Sequence, residues 1–182
     1  MRSGCPTSRR RFLFFSAAAG AALVVRPEAA SAAVPATRTI ALRAPWSEET
    51  FVGPYLHQGC YLSTALDEID RLFRDRHSQA VHRIDVRLLD LLYAFQQRTD
   101  YRACFEVVCG YRTAATNRML RKQGVHAARD SLHIQGQAVD VRFDGLPLKE
   151  ARKIALDMRL GGVGYYPKQN FLHLDVGPVR SW

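Results

Sequence analysis

Apolar residues recur with two different periods along this chain, and the change between them marks out its elements. Between Ser63 and Arg76, residues Leu66, Ile69, Leu72 and Phe73 follow Leu62 at helical spacing beside Asp67, Glu68, Asp70, Arg71 and Arg74. That pattern predicts an amphipathic helix with Ser63 as its cap. A second helix is expected with Asp85 as its cap and an apolar stripe of Val86, Leu89, Leu92, Tyr93 and Phe95. The stretch Thr113 to Lys122 reads as a short helix with Thr113 as cap and Gly124 as stop. Pro147 to Arg159 reads as another, with proline in its first turn, Leu148, Ala151, Ile154, Ala155 and Met158 on the buried side, and Gly161-Gly162 ending it.

Elsewhere the period is two. Phe105, Val107 and Cys109 alternate in a short strand ended by Gly110. Val139, Val141 and Phe143 share one strand face, while Ala138, Asp140 and Arg142 share the other. Val163 to Tyr166 and Phe171 to Val176 read as two strands joined by the polar turn Pro167 to Asn170. In the second of these, Leu172, Leu174 and Val176 face one way, and His173 and Asp175 face the other. Residues 33–60 show no sustained periodicity in their Pro-, Ala- and Thr-rich first part, and are expected to be a linker and irregular lead-in to a domain spanning 61–182.

Two strands thus repeat one arrangement, with apolar residues toward a core and potential ligands away from it. His133, in the stretch SLHIQGQAVD, supplies another imidazole. Two histidines and one aspartate, drawn from His133, Asp140, His173 and Asp175 and brought together by folding, would make a three-ligand zinc site. Catalytic zinc takes three protein ligands and leaves a fourth position for water, whereas structural zinc is normally closed by four. The metal lowers the pKa of its water from about 15.7 to about 7 and polarises a carbonyl. A carboxylate must still accept the water proton. Asp175 is the candidate catalytic residue for that step; its alternative role is to orient a ligand from behind. His133 and Asp140 are an odd number of residues apart, so Gly136 must lie in a turn that lets both reach one metal. His77, His82, His126, Asp130 and Asp144 read as loop residues. Cys60, Cys104 and Cys109 permit one disulfide and an odd thiol, with the pairing open; no C-x-x-C spacing exists, and Cys109 reads as a small buried hydrophobe.

Composition narrows the setting. With 182 residues, 47% of them apolar, the chain can bury one sizeable core. Its formal charge of +9 is partly the work of the leader: beyond residue 32, 21 basic face 16 acidic side chains, a balance of +5. There is no long Lys/Arg run and no basic face interleaved with aromatics, so a nucleic-acid partner is not expected. Residues 1–32 are laid out as an export signal: Arg9-Arg10-Arg11-Phe12-Leu13, an apolar run to Val25, then small residues around Ala30-Ser31-Ala32. The paired arginines resemble a twin-arginine signal. The run of fourteen residues is too short to span a bilayer, which needs about 20, so no membrane anchor is expected after cleavage. A monomer in the periplasm is the expectation.

Three motifs in order carry a family resemblance: Gly-Tyr-Arg-Thr at 110–113, S-x-H-x-x-G-x-A-x-D at 131–140 and H-x-D at 173–175. They resemble the D-Ala-D-Ala carboxypeptidase and hedgehog-type zinc peptidases. ATNRMLR and GGVGYYP make the chain similar, more closely, to exported bacterial murein endopeptidases of that clan, over roughly Leu62 to Trp182. The resemblance implies an α+β fold, with a small antiparallel sheet, flanking helices and a cleft on the sheet in which His133, Asp140 and His173 hold zinc. It implies peptidoglycan cross-link peptides as substrate, including links that involve meso-diaminopimelate, with terminal D-alanine trimming or non-catalytic wall binding as alternatives. It also assigns Arg112 and Ser131 to a substrate carboxylate, which suits a guanidinium's bidentate grip; Arg112 as a structural cap of the neighbouring turn is the alternative. Many relatives place a glutamate general base three residues before the last histidine, where this chain has Asn170.

Overall fold

The period-two stretches pair into one open sheet, and their register decides which side chains meet. A computed structural model describes residues 36–125 and 127–182. The leader at 1–32, Cys5 within it, and His126 lie outside the described residues. Eight strands, β1 (Thr37–Ala44), β2 (Glu49–His57), β3 (Cys60–Tyr61), β4 (Phe105–Cys109), β5 (Ala138–Phe143), β6 (Gly162–Tyr166), β7 (Phe171–Asp175) and β8 (Arg180–Ser181), run in the order β3-β2-β1-β4-β5-β7-β6-β8. Four helices, α1 (Ser63–Leu72), α2 (Val86–Thr99), α3 (Ala114–Lys122) and α4 (Leu148–Met158), complete an α+β fold. The sheet is mostly antiparallel; β1 with β4 and β6 with β8 pair in parallel. No helix among the described residues is long and apolar enough to cross a membrane.

One face of the sheet makes the core. Ile40, Leu42, Phe105, Val107, Val139, Val141, Leu172 and Leu174 are all buried there with Leu88, Leu89, Leu92 and Phe95 of α2. The register sets Val139 opposite Leu174 and Val141 opposite Leu172, so each apolar row is continued across the strands. Two of the expected caps are present: the Asp85 side chain accepts from Arg87 N and the Thr113 side chain from Thr116 N. The cap of α1 is instead Leu62, which makes no side-chain bond, and Ser63 is the first helical residue.

The expected linker over 33–60 is corrected. Thr37–Ala44 and Glu49–His57 form an antiparallel hairpin that continues into β3. Ile40, Leu42 and Ala44 are buried at alternate positions, a period-two signal in the strand itself. In β2 that signal is broken by Gly53 and Pro54, residues that weaken a strand prediction. Pro54 is accommodated because the pairing with β1 shifts register beside it, and β3 covers β2 only at Leu56 and His57. The domain therefore begins upstream of residue 61, and the described residues fall in one compact unit.

Candidate metal centre

Asp140 and His173 sit directly opposite one another in the antiparallel pair β5–β7. Their neighbours Val139, Val141, Leu172 and Leu174 hold the opposite face in the core, so both polar side chains are fixed on the cleft side. His133 reaches the same point from a short 3-10 helix, Leu132–Gln135, which ends at Gly136 with φ of 65°. A Cβ on Gly136 would stand 2.4 Å from the Arg83 carbonyl oxygen. The turn demanded by the odd spacing of His133 and Asp140 is therefore present and needs glycine.

The donor atoms form a tight triangle. His133 Nε2 and His173 Nδ1 are 3.1 Å apart, His173 Nδ1 and Asp140 Oδ1 are 3.0 Å apart, and His133 Nε2 and Asp140 Oδ1 are 3.3 Å apart. Two ligands at 2.0–2.1 Å on a tetrahedral zinc stand about 3.3 Å apart, so the three residues fit that ion. The remaining ring nitrogens are also engaged. His133 Nδ1 donates to Gly110 O at 2.7 Å, and His173 Nε2 bonds Asp175 Oδ2 at 3.0 Å. This fixes which nitrogen of each ring faces the centre, as the partners behind metal-ligating histidines do. Burial disfavours charge on His133 and Asp140, but each stabilises the other: the Asp140 carboxyl is held well below its usual range and the His133 imidazole is pushed up. The Asp140 carboxylate thus favours positive charge beside the His133 ring.

A cleft of about 660 Å³ opens over the triangle, lined among others by Arg112, Ser131, Tyr166, Phe171, Arg180 and Trp182. Arg112 and Ser131, the expected carboxylate contacts, are both here and both mostly buried. Arg112 Nη1 donates to Asn117 Oδ1 at 3.2 Å and Arg112 Nη2 to Cys109 Sγ at 3.6 Å, while its buried Nε has no partner. The guanidinium thus serves as a brace to α3 and as a wall of the cleft. Asp130 lines the cleft too. Asp144 lies in an exposed turn after β5, and His77 and His82 are exposed, with the His82 ring stacked on Tyr111 at 4.6 Å.

The loop carrying Arg112 is held from below by Asp75, a residue with almost no exposed surface. Its Oδ1 accepts from His77 N at 2.9 Å and Ser78 N at 3.3 Å, and its Oδ2 accepts from Thr113 N at 2.8 Å. Burial would raise its pKa, but these donors and Thr116 outweigh burial and hold it well below the usual carboxylate range. A depressed folded-state pKa stabilises the fold above the ordinary carboxylate pKa near 4, and that contribution is lost as pH falls below it. Asp75→Asn turns an amide group against backbone donors and should cost about 2–3 kcal/mol at pH 7. Denaturant unfolding at pH 7 and pH 3 should show the gap between wild type and variant shrinking in acid; an equal gap at both would refute the assignment.

The geometry bears on the readings of both Asp175 and Cys109. Asp175, the candidate proton acceptor, lies behind His173, fully buried and away from the cleft lining. Arg180 Nη2 donates to its Oδ2 at 2.6 Å; Arg180 Nη1, Gly177 N and Gly162 N donate to its Oδ1 at 3.0, 2.9 and 3.1 Å. A carboxylate so supplied has no free lone pair for a water proton, and its pKa is held well below normal despite its burial. These bonds match the alternative role of Asp175, to orient His173 from behind. Cys109, expected in the core, is instead opposite Asp140. An extra residue, Val108, bulges between Val107 and Cys109, which reverses the side on which Cys109 projects. Its Sγ lies within 4.8 Å of donor atoms of both His133 and Asp140. Among the described residues, Cys60, Cys104 and Cys109 form no disulfide with one another. Asn170 sits in the β6–β7 turn with φ of 55°, exposed.

Arg180 and Trp182 were not anticipated from the sequence. Arg180 carries no periodic signal, and Trp182 reaches the site only because β8 returns beside β6, setting its ring 5.2 Å from that of His173.

Residues 32–182 match a peptidase family model described as peptidoglycan L,D-endopeptidase MepK. The chain is 36% identical over 177 residues to a Haemophilus influenzae protein named probable peptidoglycan L,D-endopeptidase MepK, covering 96% of this chain and 95% of that one. It is likewise 36% identical over 176 residues to the Escherichia coli strain K12 peptidoglycan L,D-endopeptidase MepK, covering 96% and 97%. No solved structure gives a significant match. The matched stretch contains all three donor residues and both cleft residues, and the chain belongs to the MepK-type peptidoglycan L,D-endopeptidase family of metallopeptidases.

Proposed function

We propose that the chain is a zinc-dependent murein endopeptidase, in which His133 Nε2, His173 Nδ1 and Asp140 Oδ1 hold the ion and an amide bond of a peptidoglycan cross-link is cleaved. The triangle of donor atoms at 3.0–3.3 Å carries this reading. Zinc held there supplies a water of lowered pKa and a Lewis acid for the scissile carbonyl. Gly110 O and Asp175 keep the two imidazoles in the ligating tautomers. Arg112 grips a carboxylate of the wall peptide, with Ser131 lining the same cleft as a second contact. Relatives named L,D-endopeptidases favour a bond between an L and a D centre, as in a link between two meso-diaminopimelate residues. Residues 1–32 direct export by the twin-arginine route, and the mature enzyme works as a periplasmic monomer without a membrane anchor.

The test uses defined muropeptide dimers, with zinc and with chelator, and resolves the products by mass. Conversion of dimers linked through two diaminopimelates to monomers, abolished by chelator, is expected. Loss of single alanines from monomers would show a carboxypeptidase, and dimers retained uncleaved on the protein would show a binding module.

A further inference from the structure

Asp140 and His173 belong to one row of residues that runs across the sheet. Cys109 is paired with Asp140, Asp140 with His173, and His173 with Gly164. Trp182 continues the row, because Trp182 N donates to Val163 O at 3.2 Å and Tyr165 N donates to Trp182 O at 3.0 Å, two bonds that bracket Gly164. At one end of the row Arg112 Nη2 reaches Cys109 Sγ at 3.6 Å. At the other end, Trp182 stands two strands from His173, about 10 Å at the usual strand spacing. Its ring centre is nevertheless only 5.2 Å from that of His173. The indole therefore folds back over Gly164, where a Cβ would stand 2.8 Å from Trp182 Cε2 and Cζ2. It is held there by its Nε1, which donates to Tyr166 OH at 2.9 Å, and by the Arg180 guanidinium, 5.0 Å from its centroid; the Tyr166 ring is in turn stacked on Phe171 at 4.6 Å. Trp182 lines the cleft and is 48% exposed. With its N–H already engaged by Tyr166, the indole offers the cleft an apolar surface.

We propose, resting on the peptidase reading above, that Trp182 is a specificity-determining residue: its indole is the platform for the side chain of the residue that supplies the scissile carbonyl, and it favours the hydrocarbon chain of a diamino acid there over the methyl group of alanine. A free carboxylate next to the scissile amide belongs to the residue that supplies the nitrogen, because the other residue's carboxyl is the scissile carbonyl itself. Arg112 holds that carboxylate at one end of the row and the donor triangle lies in the middle, so the carbonyl-side residue lies toward Trp182. A chain advances about 3.3–3.6 Å per residue, so a ring 5.2 Å from His173 meets the residue that flanks the scissile bond rather than the more distant stem or glycan. A link through two diaminopimelates lays a trimethylene chain on the indole, and a link through alanine lays only a methyl group. Such an apolar contact is made alike before and during the reaction, so its loss is read in KM rather than in kcat.

Steady-state kinetics on muropeptide dimers linked through two diaminopimelates, with an alanine-linked dimer as competitor, tests this. Trp182→Ala should raise KM for the first dimer about tenfold, the effect of exposing a few methylenes. Its kcat should stay within about threefold of wild type and its zinc content should be unchanged, while the inhibition constant of the alanine-linked dimer moves less than about twofold. Trp182→Phe, which keeps an aromatic face, should recover most of the loss. Should Trp182→Ala fold poorly, Trp46→Phe decides. Trp182 is then the one indole of the chain. Its emission should move to the blue when the diaminopimelate-linked dimer is mixed with zinc-loaded protein, and return as the dimer is cleaved. An unchanged KM in Trp182→Ala, an equal weakening toward both dimers, a fall in kcat alone, or constant Trp182 emission while the dimer is cleaved overturns the platform and leaves the peptidase reading standing. Failure of wild type to cleave either dimer overturns that reading itself.

Discussion

Asp140→Asn should abolish both metal retention and hydrolysis, lowering turnover of muropeptide dimers on the order of 10³-fold, about 4 kcal/mol of transition-state stabilisation. Asp140 is the sole anion among the three donors whose atoms meet at 3.0–3.3 Å, and it lies between two imidazoles. An asparagine amide matches its size but offers a neutral oxygen, and its NH2 group can turn toward the imidazole nitrogens. The change removes the charge that favours a cation there while leaving the backbone pairing of β5 with β4 and β7 unaltered. Metal content by elemental analysis and dimer cleavage by mass should therefore fall together, with circular dichroism unchanged. Stoichiometric zinc and wild-type turnover in this variant would overturn the ligand assignment. His173→Ala is a poorer probe, because it also strips Asp175 of a partner inside the fold.

What could be read beforehand was whatever depends on parity within one strand. In β5 and β7 a carboxylate and an imidazole fall on the face opposite a row of apolar residues, and burying that row leaves only one direction for them. The turn at Gly136 followed from the same parity, since seven positions of unbroken strand would separate His133 from Asp140. Parity fails at a bulge. Val108 adds one residue, and the simple alternation Phe105, Val107, Cys109 then points its last member the wrong way. Neighbours across the sheet are illegible in another sense. That Asp175 shares a face with His173 is local information, but the return of Arg180 to cover it depends on β8 pairing with β6. The hairpin β1–β2 is illegible in the sequence because Pro54 is tolerated through an extra residue of β2, Tyr55, at which the register with β1 shifts.

Asp175→Asn separates two roles for the residue behind His173, and the expected result is a loss of metal affinity rather than of intrinsic chemistry. Partners behind a metal-ligating histidine typically contribute 10–100-fold to metal affinity. Asn keeps one oxygen, which can still accept from Gly162 N and Gly177 N, but its amide replaces the oxygen that bonds His173 Nε2 and Arg180 Nη2. A donor facing donors releases the tautomer of His173 and leaves the partly exposed Arg180 guanidinium without its counter-charge. The stability cost should be about 2–3 kcal/mol, toward the low end for a broken buried pair because Arg180 remains 41% exposed. Zinc affinity, read by competition with a chelating dye, should fall 10–100-fold, and turnover should recover to within about tenfold of wild type at saturating zinc. A proton acceptor behaves oppositely: its loss leaves zinc affinity intact and turnover absent at any zinc concentration, and removes the acidic limb of the pH profile. Such an outcome would return Asp175 to the chemistry. Recovery by added zinc instead places the proton's destination on another group lining the cleft.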